Sequence, residues 1–205
     1  MHRQSRHWTP NHFPSEYDGY PSAHTTSRCC ARPSRKKDPV ASNFIEILNQ
    51  LHDRSVEFVI VGGVAAALHG GTRVTFDLDI VPSLAPASWQ AAVDLLWSVG
   101  ARPRIPEPLE RIRDVDQVRA WRAEKNMLAL NFRAPDGSTE VDLLIAESDR
   151  FEEIRDRAIK ITIAQRSFFV ASIQDLISMK EQAGRPQDLL DIEQLRDIQK
   201  RLETQ

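Results

Sequence analysis

From residue 41 onward the chain alternates between two rhythms, apolar positions three or four apart and apolar positions two apart, which are those of helix and strand. Phe44, Ile45, Ile47, Leu48 and Leu51 gather on one side of a helix that Ser42 can cap. Glu57–Val61 is an apolar run and reads as a first strand. Val64–His69 (VAAALH) reads as a short helix stopped by Gly70-Gly71. Thr75–Val81 alternates as a second strand, closed by Pro82, and Ser88–Val99 is a helix that Gly100 ends. Met127–Phe132 and Thr139–Ile145 alternate on either side of a Pro135-Asp136-Gly137 turn, a hairpin signal. A helix over Asp149–Ala158, short strands at Ile159–Ile163 and Ser167–Val170, and helices over Ser172–Ala183 and Gln187–Leu202 follow, the last two parted by Gly184-Arg185-Pro186. This order predicts an α+β fold, a mixed β-sheet flanked by helices with a C-terminal helical pair from about residue 172.

Two stretches break the rhythm. Residues 1–40 have few aliphatics and several prolines, and are expected to be disordered or to stem from an over-long start site, leaving 41–205 as the folded domain. Their histidines (His2, His7, His12, His24) are irregularly spaced and read as solvated rather than metal-binding. Residues 101–125 carry three prolines and mix seven basic with five acidic side chains. That mixture could line a groove for RNA, but it reads better as an exposed helix with internal ion pairs. Trp97 and Trp121 are expected in the core or at a hinge.

Composition narrows the classes. At 41% hydrophobic and 27% charged residues, the 205-residue chain has the make-up of a soluble globular protein. The net charge of −2 hides an uneven split: seven basic residues against three acidic ones in 1–40, and 20 against 26 in the remainder. A mildly acidic body lacks the basic field of a dedicated nucleic-acid binder. The two cysteines, Cys29 and Cys30, are adjacent and offer no disulfide framework, and no apolar run is long enough to span a bilayer, so a cytoplasmic location is expected.

The chemistry is concentrated in Val59–Pro82, VIVGGVAAALHGGTRVTFDLDIVP. The apolar run ends in Gly62-Gly63, a bare backbone that a ligand can approach closely. Asp77 and Asp79, two apart in a strand, share one face while Leu78 points away. Paired acids on an otherwise apolar strand repel each other and are costly to bury, and a divalent cation is the usual reason to keep them there. Asp142, in the returning hairpin strand Glu140-Val141-Asp142-Leu143, repeats the anomaly. If that strand lies beside the second one, three carboxylates form a cluster suited to one or two Mg²⁺ ions bridging a triphosphate and a hydroxyl, with Asp142 as base or metal-bound activator.

The diglycine, a thirteen-residue spacer, the Asp-x-Asp pair, a later strand aspartate and the segment DLISMKEQAGRPQDLLDIEQL together resemble the nucleotidyltransferase superfamily of DNA polymerase β type. The likeness is greatest to its small prokaryotic members, the AbiEii-like toxins and minimal nucleotidyltransferases. The resemblance implies a twisted mixed sheet, Mg²⁺ (or Mn²⁺) at Asp77, Asp79 and Asp142, and the phosphates of an NTP at Gly62, Gly63 and the Val64 amide. It also implies transfer of a nucleoside monophosphate, with release of pyrophosphate, to a hydroxyl of a protein, a tRNA or a small molecule, in a toxin–antitoxin context by analogy. By the same resemblance Lys180 would contact the nucleotide, with Arg185 and Asp188 organising the helices around it. The rival reading of Lys180 is a solvated helix face. Arg73 would neutralise a phosphate or pair with Asp77 or Asp79, His69 reads as a packed histidine, and Asp191 as a complement to the last helix's dipole. In one respect the chain departs from the family pattern: Val64 stands where a Ser or Thr hydroxyl commonly grips the phosphates. That substitution keeps open a second reading, a nucleotide-binding regulatory or antitoxin-like partner without turnover. A metal-dependent phosphohydrolase using the same carboxylates is a third.

Overall fold

The computed structural model describes residues 41–204 apart from 73, 74, 76, 135, 136, 138 and 139, with side chains from residue 44 onward. The expectations for residues 1–40 and for Arg73 therefore lie outside the described residues. Helix α1 (Ala41–Asp53) buries Ile47, Leu48 and Leu51 along one stripe, and Ser42 lies within it rather than before it. Strand β1 (Phe58–Ile60) leads into helix α2 (Gly62–Leu68), which starts at the diglycine itself, and strand β2 (Asp77–Pro82) follows. Helix α3 (Pro86–Ser98) and a two-residue strand β3 (Arg102–Pro103) come next.

The Arg-rich stretch is not one exposed helix. It forms α4 (Leu109–Arg113) and α5 (Val115–Lys125), separated at Asp114, whose carboxylate caps α5 by accepting from the N–H groups of Asp116 and Gln117 at 3.0 and 3.4 Å. Ile112, Val115, Val118 and Trp121 are buried, so the helices present an apolar face to the core, a pattern that the density of charge around it obscures in the sequence. Some ion pairs are internal, such as Arg111 with Glu107 and Arg119 with Asp116. Others tie the stretch to distant elements: Arg104 to Glu140, Arg113 to Asp94, Arg122 to Asp149. Trp121 and Trp89 are fully buried, the Trp89 indole N–H donating to the Ile112 carbonyl at 2.8 Å, whereas Trp97 is half-buried under the Arg102 guanidinium.

Strands β4 (Leu130–Arg133) and β5 (Glu140–Leu143) precede a 3₁₀ turn (Ser148–Arg150), helix α6 (Phe151–Arg157) and the hairpin β6 (Ile159–Ile163) and β7 (Arg166–Val170). Among the described residues seven strands form one mixed sheet in the order β3-β4-β5-β2-β1-β7-β6, with β2 parallel to β5, β1 parallel to β7, and the remaining pairs antiparallel. Helix α7 (Ile173–Ala183) is capped by Ser172 and ends at Gly184, which takes a left-handed φ of 63° free of any Cβ penalty. Pro186 then opens helix α8 (Pro186–Glu203). The fold is thus the α+β sheet-and-helix arrangement with a C-terminal helical pair. Among the described residues no helix is long and apolar enough to cross a membrane.

Candidate active site

Strand β2 has to satisfy two demands. Leu78 and Ile80 are wholly buried on one face, which leaves Asp77 and Asp79 on the other. Strand β5 repeats the pattern, with Val141 and Leu143 buried and Asp142 opposite them. The parallel register sets Asp77 beside Glu140 and Asp79 beside Asp142, so all three aspartates lie on the same face of two neighbouring strands. They line a cleft of about 670 Å³. Gly62 and Gly63 border it at the end of β1, and Leu176, Met179 and Lys180 of α7 face it, with Arg185, Gln187 and Asp188 from the start of α8.

Both glycines are required by contact, and Gly62 by conformation as well. Gly62 has a φ of 64°, and a Cβ there would run into the Asp79 side chain. A Cβ on Gly63 would come within 2.8 Å of Thr75 Cβ. The Gly63 N–H acts on the Asp79 carboxylate in the direction that favours its charged form.

Electrostatically the cleft is unbalanced. Burial, then the charges of Asp142 and Asp77, push the Asp79 carboxyl up to about 6, against the smaller opposing effects of the Gly63 N–H and Lys180. Burial likewise raises Asp142, a hydrogen bond from Asn131 partly offsets it, and the charges of Glu140 and Asp77 add to the rise. Oδ1 of Asp142 is buried with no hydrogen-bond partner. As the side chains stand, no three His, Cys, Asp or Glu among the described residues converge into a finished cation cage. The donor set still fits a hard divalent cation such as Mg²⁺ or Mn²⁺: it is all carboxylate oxygen, it is crowded with like charge, and one buried oxygen lacks a partner.

Lys180 does not sit on a solvated face. Its side chain is 11% exposed, and its Nζ lies 2.6 Å from Asp191 and 3.6 Å from Asp188. Asp191 is therefore a partner of Lys180 rather than merely a complement to the helix dipole. Asp188 accepts from the Arg185 backbone N–H at 3.3 Å and returns its own N–H to the Arg185 carbonyl at 2.9 Å, closing the first turn of α8. Val64 does not border the cleft; its side chain is buried in the core behind it. His69 donates from Nε2 to the Ala171 carbonyl at 2.8 Å, a structural contact away from the acids.

Several cleft residues are not singled out for a site by the sequence reading: Asn131, Met127, Leu128 and Thr75; Lys125 enters only as part of the basic stretch weighed as an RNA groove. Asn131 did leave a signal, as a lone amide in an alternating strand whose hairpin partner carries Asp142. Met127 and Leu128 left none, since an apolar residue in a cleft wall looks like any core residue.

The family described as "Nucleotidyltransferase of unknown function (DUF6036)" matches residues 41–204. Among solved structures, the lincomycin-bound lincosamide antibiotic adenylyltransferase LnuA is similar at a TM-score of 0.52 and 14% identity, covering 77% of this chain and 96% of that one. An antigenic nucleotidyltransferase-like protein from Paracoccidioides brasiliensis aligns at a TM-score of 0.47 and 15% identity, covering 77% and 76% of the two chains. No curated protein matches.

Proposed function

The chain belongs to the nucleotidyltransferase family of that description, and from this premise we propose that it transfers a nucleoside monophosphate from an NTP to a hydroxyl acceptor at the cleft between β2, β5 and α7. In this reading Asp77, Asp79 and Asp142 hold Mg²⁺ or Mn²⁺, which when bound neutralises phosphate charge and lowers the barrier to displacement at the α-phosphorus. Gly62 and Gly63 present bare backbone to the phosphates, and Lys180 supplies a cation from the roof. Asp142 takes the proton of the acceptor hydroxyl as its oxygen bonds to the α-phosphorus, and the bond from that phosphorus to pyrophosphate breaks. The observation that carries the reading is the pairing of Asp79 with Asp142 across two strands, with a buried oxygen of Asp142 unpartnered.

The acceptor is a protein side chain, a tRNA end or a small molecule. The first two follow from the likeness to toxin-type nucleotidyltransferases. The third is supported by the lincomycin in the cited adenylyltransferase structure. The test is incubation with each of the four α-labelled NTPs, divalent cation and fractionated protein, RNA and metabolite pools, followed by mass spectrometry. Pyrophosphate, with an acceptor heavier by one nucleoside monophosphate, is the expected result, and free phosphate alone would point to a phosphohydrolase. A second reading, a nucleotide-binding partner without turnover, is favoured by Val64, which brings no hydroxyl to the phosphate cradle. Calorimetric binding of Mg·ATP with no label transfer to any pool would select it.

A further inference from the structure

The floor of the cleft runs across the sheet from Gly62 and Gly63 at β1, through Asp79 on β2 and Asp142 on β5, to Asn131 on β4. In the antiparallel register of β4 and β5, Asn131 stands directly opposite Asp142. Packing on the other face fixes this juxtaposition. Leu130 pairs with Leu143 and Phe132 with Val141, and all four are at most 1% exposed. A slip by one residue would turn those side chains into the cleft, so the register cannot drift.

We infer that Asn131 is a positioning residue for Asp142, its amide fixing the carboxylate so that Oδ1 is left for the cation or the acceptor hydroxyl. This inference rests on the nucleotidyltransferase reading above. The residue type suits the task. A neutral amide donor orients a carboxylate without neutralising it, whereas a guanidinium in its place would satisfy the acid and compete with a bound cation. The neighbouring Glu140 shows the alternative, since it is paired to Arg104 and so removed from that role. Asn131 stands opposite Asp142 and lines the same cleft, while Oδ1 of Asp142 is buried without a partner, so the amide is placed to act on the carboxylate and that oxygen remains available.

The test measures Mn²⁺ affinity of the full chain by the electron paramagnetic resonance signal of the free ion, with thermal melting as a check on folding. Asn131→Ala is expected to weaken Mn²⁺ binding by ~10-fold or more, the usual effect of removing a partner that orients a metal ligand. In an Asp142→Asn background the same substitution should add nothing further, because the two residues act as one unit. A simple packing role would not produce that coupling. Should Asn131→Ala fail to fold, Asn131→Leu, close in volume and without a donor, serves in its place. A wild type that binds Mn²⁺ with a variant within twofold of it overturns the assignment alone. A wild type that binds no Mn²⁺, with or without ATP, overturns the assignment together with the cation-dependent reading beneath it.

Discussion

Asp79 and Asp175 are both aspartates drawn out of solvent, and they differ in almost everything else. Burial alone would push Asp175 up, but Arg157 grips it through two guanidinium nitrogens at 2.7 to 3.2 Å and the Ser172 hydroxyl donates at 2.6 Å. The net result is a carboxyl below its ordinary value. Asp79 has Asp77 and Asp142 for neighbours, and Lys180 near it is already engaged by Asp188 and Asp191. It stands at about 6. The pairing around Asp175 ties α6 to the start of α7 and is complete as it stands. The cleft has been left incomplete, and a fold retains such an electrostatic debt where a ligand settles it.

The sharpest way to break this comparison is to remove charge from the incomplete site. Asp142→Asn should lower nucleotidyl transfer by ~10³-fold, within the range for loss of a general base, while the protein melts no lower than wild type. Equal loss of melting temperature and activity would instead make Asp142 a structural residue.

Next in size is the response of the cation-free protein to pH. Asp79 is raised in the folded state, so between its ordinary 3.8 and about 6 the native protein holds a proton that the unfolded chain has released. Stability therefore falls as pH rises through that window, and by pH 7 the loss is on the order of 3 kcal/mol. Asp175 acts in the opposite sense, contributing stability that is lost as pH falls below about 3.8. Urea unfolding in a chelator between pH 4.5 and 7.5 should show the decline, Asp79→Asn should flatten it, and saturating Mg²⁺ should reverse it above pH 6.

Asp175→Ala removes the paired acid. It should cost about 2 kcal/mol and several degrees of melting temperature, because it strands donors of Arg157 and Ser172 near the cap of α7. Transfer activity of the folded fraction should be unchanged. The smallest effect is expected at a pair that is neither buried nor crowded: Arg119→Ala, which breaks the exposed bridge to Asp116, should alter stability by less than about 0.5 kcal/mol in chemical denaturation.

Local order was legible wherever one residue's neighbours in sequence decide its environment. Alternation in β2 and β5 put the three aspartates opposite buried aliphatics, and Gly184-Arg185-Pro186 marked the break between α7 and α8. In α4 and α5 the signal failed, because charged side chains outnumber the four apolar residues that face inward. For Lys180 the sequence left a solvated helix face open beside the nucleotide contact, because its partners, Asp188 and Asp191, lie beyond a chain reversal.

The sequence by itself determined the kinds of element, the face each aspartate takes, and the diglycine bend, since each depends on periodicity and backbone sterics within a few residues. Only the tertiary structure decided that β5 lies parallel beside β2, that Asn131 meets Asp142, that Val64 turns into the core and that Lys180 is taken up by two acids. Those are choices of pairing between distant segments. They follow from how the aliphatics on the hidden side of the sheet interlock, a condition that no short stretch of chain contains.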